Sequence, residues 1–256
     1  MAEKDIRTGP VCKVAKLQAN TVDNGAMVKI NKFALSPLTA DEVFTFKAVM
    51  GDTGDDDRNN EPFALSALKD LKELYVGKPM IKDHSRKSDN QVARIYATEL
   101  VTTDQFTKFN EPIIQLVAYC YMVRTAGNAD LIAEISAGIK KEVSTSFAPK
   151  EAICSICGCD NVKGYCSHFP GKEYERTDGT KAVCNFMLGG AKEAYELSLV
   201  VVPAQPRAGT CKNYGVAPVG NENSKPKSTV TEDSEIDVRI KLSESFIFNE
   251  TKEELS

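Results

Sequence analysis

Apolar and polar residues alternate with a period of two over Val11 to Leu17, Met27 to Phe33 and Val43 to Met50, which predicts three early strands. The period then changes. Phe63 to Tyr75 carries Leu65, Leu68, Leu71, Leu74 and Tyr75 at helical spacing, and Gly77 and Pro79 mark where that helix stops. Val92 to Val101 and Ile113 to Val123 read as strands. Asn128 is placed to cap a helix running to Ser136, with Gly138 beyond its end. Val143 to Phe147, Val183 to Met187 and Glu196 to Val202 read as further strands. Gly51 to Asn60 is an acidic, glycine-bearing segment read as a solvated connection, because its carboxylates are too irregularly spaced for a Ca²⁺ loop. Many strands, few helices and no regular βαβ alternation predict an α+β fold. The sheet is expected to be mostly antiparallel, barrel-like and closed or partly closed, with a few flanking helices.

The pattern fades after about Gly209. Asn221 to Asp233 is rich in Ser, Thr, Asn, Lys and Glu, contains Pro226 and has no core periodicity, so it reads as a linker. Ile236 to Ile240 and Phe246 to Phe248 are short apolar islands in it, read as docking segments. The expected division is a folded domain over residues 1–211 and a flexible polar tail over residues 212–256.

Composition adds limits on function. An apolar fraction of 42% supplies a core, and a net charge of −4 argues against nucleic acid or a membrane surface as a partner. Met1-Ala2-Glu3-Lys4-Asp5 has no apolar signal segment, and no apolar run nears the ~20 residues that span a bilayer. These features predict a soluble intracellular protein.

Eight cysteines are unevenly placed. Cys12, Cys120 and Cys211 are scattered, and Cys12 and Cys120 fall in apolar runs that suit buried thiols. Cys154, Cys157, Cys159, Cys166 and Cys184 cluster. Cys154-Ser155-Ile156-Cys157 followed by Cys166-Ser167-His168 presents two close ligand pairs across a loop, a spacing suited to one tetrahedral Zn²⁺. The predicted ligands are Cys154, Cys157, Cys166 and His168, with Cys159 or Cys184 as replacements for the histidine. Four protein ligands leave no open position, so the zinc is structural and staples an insertion at about residues 152–182.

The chain has two histidines, and assigning His168 to metal leaves His84. A hydroxyl becomes a useful nucleophile when an imidazole takes its proton, and a carboxylate behind the ring fixes its tautomer. His84 ends Gly77-Lys78-Pro79-Met80-Ile81-Lys82-Asp83-His84. Ser144 lies in Val143-Ser144-Thr145-Ser146-Phe147, and Glu196 opens Glu196-Leu197-Ser198-Leu199-Val200, followed by Pro203-Ala204-Gln205-Pro206.

Over about residues 10 to 210 these motifs resemble the prohead maturation serine proteases of tailed bacteriophages, distant relatives of the herpesvirus assemblins. In that family a strand ends in His, a helix with small residues leads into Leu-Ser-Ile-Gly-Phe, and Glu-x-Ser-Leu-Val precedes Pro-Ala-Asn-Pro. The chain departs at Ser146, which replaces glycine, at Gln205, which replaces asparagine, and at Ser85, which replaces an acid. The resemblance implies a serine endopeptidase with Ser144 as nucleophile, His84 as base and Glu196 as orienter. Ser146 would share a face with Ser144 and is an alternative nucleophile. Asp83 and Glu142 are alternative carboxylates.

The resemblance also implies substrates and place. They are phage scaffold and major capsid proteins, cleaved inside an assembling procapsid in the host cytoplasm, with self-cleavage and self-association. Two rival readings are a non-catalytic virion protein on the same fold and a zinc nucleic-acid-binding module. The second is opposed by the acidic balance and by the lack of an aromatic-basic face near the cysteines.

Overall fold

A computed structural model describes residues 22–55, 57–176 and 179–211. The predicted strand Val11–Leu17, Cys12 and the tail lie outside these residues. The architecture is mixed α+β, a sheet curled into a half-barrel that does not close.

The nine strands are β1 (Val43–Asp52), β2 (Pro79–Lys82), β3 (Ala93–Phe106), β4 (Pro112–Val123), β5 (Val143–Cys154), β6 (Glu173–Glu175), β7 (Lys181–Val183), β8 (Phe186–Leu199) and β9 (Gly209–Cys211). Seven form the main sheet in the order β5-β8-β2-β3-β4-β1-β9, and β6 and β7 make a separate hairpin. Every pairing between these strands is antiparallel except β2 with β8.

The core follows the period-two alternation. Phe44, Phe46, Ala48 and Met50 of β1 bury the same face as Leu116, Ala118, Cys120 and Met122 of β4. Helix α2 (Leu65–Leu74) lies across this face with Ala67, Leu68 and Leu71 buried. Each fully buried leucine contributes about 1.5–3 kcal/mol of burial. Cys120 is buried as read from its apolar run, and burial raises its thiol pKa well above the usual value.

Three strand predictions are corrected. Met27–Phe33 is not a strand: Asn24–Ile30 forms helix α1. Asp23 caps it, accepting from the Ala26 N–H at 2.7 Å. Ala26, Met27 and Ile30 then fall on one helical stripe against Tyr96 and Tyr121, and Val22, just before the cap, packs against the same cluster. The strand Val183–Met187 is broken at Cys184–Asn185 between β7 and β8. The strand predicted over Glu196–Val202 stops at Leu199, the end of β8, leaving Val201 and Val202 exposed.

The acidic segment Gly51–Asn60, which begins inside β1, is not wholly solvated either. Asp52 is completely buried. Its carboxylate takes Arg207 Nε at 2.6 Å and Nη2 at 2.8 Å, and the Gly54 N–H at 2.7 Å. Gln205 joins the same network, accepting from the Asp52 N–H and donating to the Asp52 carbonyl. A Cβ at Gly54 would fall 1.8 Å from Arg207 Nη2, so glycine alone fits there without moving the guanidinium. Helix α3 (Ala129–Ser136) leads into β5, burying Leu131 and Ile135.

Candidate active site and candidate metal centre

The parallel pair β2–β8 positions His84. Met80, Ile81 and Lys82 register with Leu197, Ser198 and Leu199. The chain then leaves the sheet through Asp83 and His84, whose φ values are 52° and 51°. Two successive left-handed residues are unusual outside glycine, although Asp and His tolerate that region better than most. The Asp83 N–H donates to the Leu199 carbonyl at 2.9 Å, and the turn carries His84 back over β8.

There His84 Nδ1 lies 2.8 Å from Glu196 Oε1. The histidine side chain is 43% exposed and the glutamate side chain 6%, so the pair joins a buried carboxylate to a solvent-accessible ring. Of the carboxylates weighed from sequence, Glu196 is the one bonded to the ring. Glu142 instead pairs with Lys141 at 3.7 Å, and Asp83 sits within the turn. Glu196 Oε2 is buried with no hydrogen-bond partner.

The serines sit on the adjacent strand. In the β5–β8 ladder Ser144 is opposite Ser198, and Ser146 is opposite Glu196. Side chains opposite one another share a face, with Cβ atoms about 4.5–5.5 Å apart. Both serines therefore lie on the Glu196 face, one ladder step apart. Neither hydroxyl is hydrogen-bonded to His84, whose ring is bonded to Glu196.

The register shifts between Ser146 and Phe147. Tyr75 fills the break from the core side, its hydroxyl donating to the Ser146 carbonyl at 2.9 Å with the Glu196 carbonyl at 3.3 Å. Burial and the Glu196 charge push the Tyr75 phenol far above its usual pKa, so it remains a donor. Neither Tyr75 nor Ser198 was singled out from sequence. Ser198 was accessible by simple alternation, being two residues beyond Glu196. A cleft of about 270 Å³ opens beside Glu196, with Lys78, Pro79, Ile81 and Arg86 in its lining.

The second cluster closes the far end of β5. Cys154, Cys157, Cys166 and His168 bring their ligand atoms within 4.8 Å of one another and could hold one metal ion. Cys154 Sγ is 3.7 Å from His168 Nδ1. Tetrahedral bonds of about 2.3 Å to sulfur place ligand sulfurs about 3.8 Å apart, so this cluster has the dimensions for such an ion. The turn is tight at Gly158, with φ of 70°, and its N–H donates to the Cys154 carbonyl.

Of the replacement ligands, Cys184 Sγ lies 3.8 Å from Cys154 Sγ, whereas the Cys159 thiol donates to the Gly164 carbonyl. Burial raises the Cys184 thiol to about 12 and the Cys157 thiol to about 11. Burial also opposes ionisation of Cys166, but hydrogen bonds from the His168 segment and Asn161 reverse the balance and hold it at about 6.

Comparison with protein families, with characterised proteins and with solved structures finds no match for this chain.

Proposed function

We propose that this protein is a serine endopeptidase of the prohead maturation type. The observation that carries the reading is the 2.8 Å contact between His84 Nδ1 and buried Glu196, formed on the strand next to Ser144. In this reading Glu196 holds the His84 proton on Nδ1, leaving Nε2 to accept a proton from a hydroxyl. Ser144 attacks the peptide carbonyl, His84 takes its proton, and His84 returns a proton to the leaving amine. Ser146 faces the carboxylate directly, which suits a hydrogen bond to Glu196. Ser144 stands one step away, opposite the residue that holds the His84 backbone.

Scaffold and major capsid proteins are the proposed substrates, inside a procapsid in the host cytoplasm. The proposed ion in the cysteine cluster is zinc, because three thiols and one imidazole suit a soft, tetrahedral ion. It is structural, fixing the end of β5 and the β6–β7 hairpin. It takes no part in bond cleavage.

The test is co-expression with phage scaffold and capsid protein, together with fluorophosphonate labelling. Ser144→Ala and His84→Ala should each lower cleavage by about 10³-fold or more, and Ser144→Ala should abolish labelling. Retained activity in Ser144→Ala with loss in Ser146→Ala reassigns the nucleophile. A folded protein that neither cleaves nor labels is instead a non-catalytic virion protein.

A further inference from the structure

Glu196 is not the only residue of β8 that grips His84. Ser198, two positions on, is completely buried, and its Oγ lies 2.9 Å from the His84 backbone nitrogen. The polarity of that contact is fixed, because an amide can only donate. The Ser198 hydroxyl in turn has the Leu199 carbonyl at 3.2 Å to receive its own proton. Its proton and one of its two lone pairs are thus engaged, and its complete burial keeps it from a substrate carbonyl.

The consequence lies in the turn. Asp83 and His84 adopt successive left-handed conformations, which the isolated chain does not favour. Three contacts hold them. The Asp83 N–H is tied to the Leu199 carbonyl, the Ser85 N–H closes on the Lys82 carbonyl at 2.9 Å, and the His84 N–H is tied to Ser198. Only the last contact depends on a side chain, and only that one acts on the histidine itself. The ring of the same residue meets Glu196. β8 thus holds His84 at two points, through side chains that alternation places on one face.

We propose that Ser198 is a positioning residue: its buried hydroxyl locks His84 in the left-handed turn from which the imidazole reaches Glu196. The catalytic part of this inference rests on the reading of His84 as the general base. The geometric part does not.

The experiment uses the full chain labelled with ¹⁵N-histidine. His84 and His168 are its only histidines, so ring signals are few. In the wild type the His84 amide should be protected from hydrogen exchange despite lying in an exposed turn. Its ring should be the Nδ1–H form with a slowly exchanging proton. In Ser198→Ala the Nδ1 proton should exchange rapidly, and the ring should drift toward the Nε2–H form. If the protein cleaves capsid peptides, kcat should fall about 10- to 100-fold with KM little changed, the scale of a small misplacement of a reacting group.

A freely exchanging wild-type His84 amide overturns the proposal, even if the alanine variant fails to fold. So does a folded Ser198→Ala protein with its Nδ1 proton intact. Loss of the ring signal in a protein without peptidase activity would sink the protease reading and leave the positioning role of Ser198 standing.

Discussion

Replacing Arg207 with methionine should strongly destabilise the protein, because it strips a buried carboxylate of its cation. Asp52 is 0% exposed and the Arg207 side chain 14%, so the pair is largely desolvated. The guanidinium supplies two of the hydrogen bonds to that carboxylate, at 2.6 and 2.8 Å, and only the Gly54 N–H remains when it is removed. Breaking one side of a buried ion pair costs about 3–5 kcal/mol, because the surviving charge is left without compensation. For a domain of this size each 1 kcal/mol moves the midpoint by about 2–4 °C, so Arg207→Met should lower Tm by roughly 6–20 °C.

The assay is thermal and urea unfolding of the wild type, Arg207→Met and the double variant Asp52→Asn/Arg207→Met. The double variant should recover at least half of the loss, since a neutral amide can still accept from Gly54. The damage should also reach the site. The Ala208 carbonyl accepts from the Val143 N–H at 3.5 Å, and Glu142 bridges to Gly209, so the start of β5 is pinned by the residues after Arg207. Faster amide exchange at Val143 is therefore expected. A Tm shift below about 2 °C, or a double variant no better than Arg207→Met, refutes the reasoning.

Two further outcomes are expected. Purified protein should hold about one zinc per chain, removable by a strong chelator; Cys154→Ser and Cys166→Ser should lower the metal content while Cys159→Ser does not, and metal-free protein from zinc-replete cells contradicts the assignment. Burial raises the Asp70 carboxyl, but Lys150 Nζ at 2.7 Å and the Ala191 N–H overcome it and hold its pKa below the usual value. A depressed folded-state pKa contributes stability above the unfolded value of about 4 and loses it as pH falls through the folded one, so Asp70→Asn should flatten acid unfolding below about pH 4. An unchanged acid limb in that variant removes Asp70 from the account.

Helix α2, the long strands and the residues of the cysteine cluster were legible in the sequence because each is a local pattern. Leu68 and Leu71 announce a helix face within one turn, and β4 is a long apolar run rich in β-branched and aromatic residues. Helix α1 is not legible in the same way, because Met27–Phe33 contains enough alternating apolar residues to imitate a strand. The deciding signal was the Asp23 cap, which lies before the apolar run. The burial of Asp52 was illegible for a different reason. Its partners Gln205 and Arg207 are more than a hundred and fifty positions away, and an acidic run containing glycine otherwise describes an exposed loop.

The same difference in range separates the two candidate sites. Cys154 and His168 are 14 positions apart, so spacing alone restricts how they can meet. His84 and Glu196 are 112 positions apart, and nothing in either segment specifies that β2 should enter beside β8 as the one parallel strand among antiparallel neighbours. Even that pairing does not deliver the ring to the carboxylate. A strand continued past Lys82 would carry His84 beyond Leu199 and away from Glu196, since parallel strands advance in step. The left-handed turn at Asp83 and His84 reverses that advance, and it needs a partner for the amide it turns inward. Ser198 supplies that partner from the residue registered with Ile81. The site therefore depends on a parallel register and on a turn held by two backbone contacts and one hydroxyl, and neither is written in the spacing of the residues it brings together.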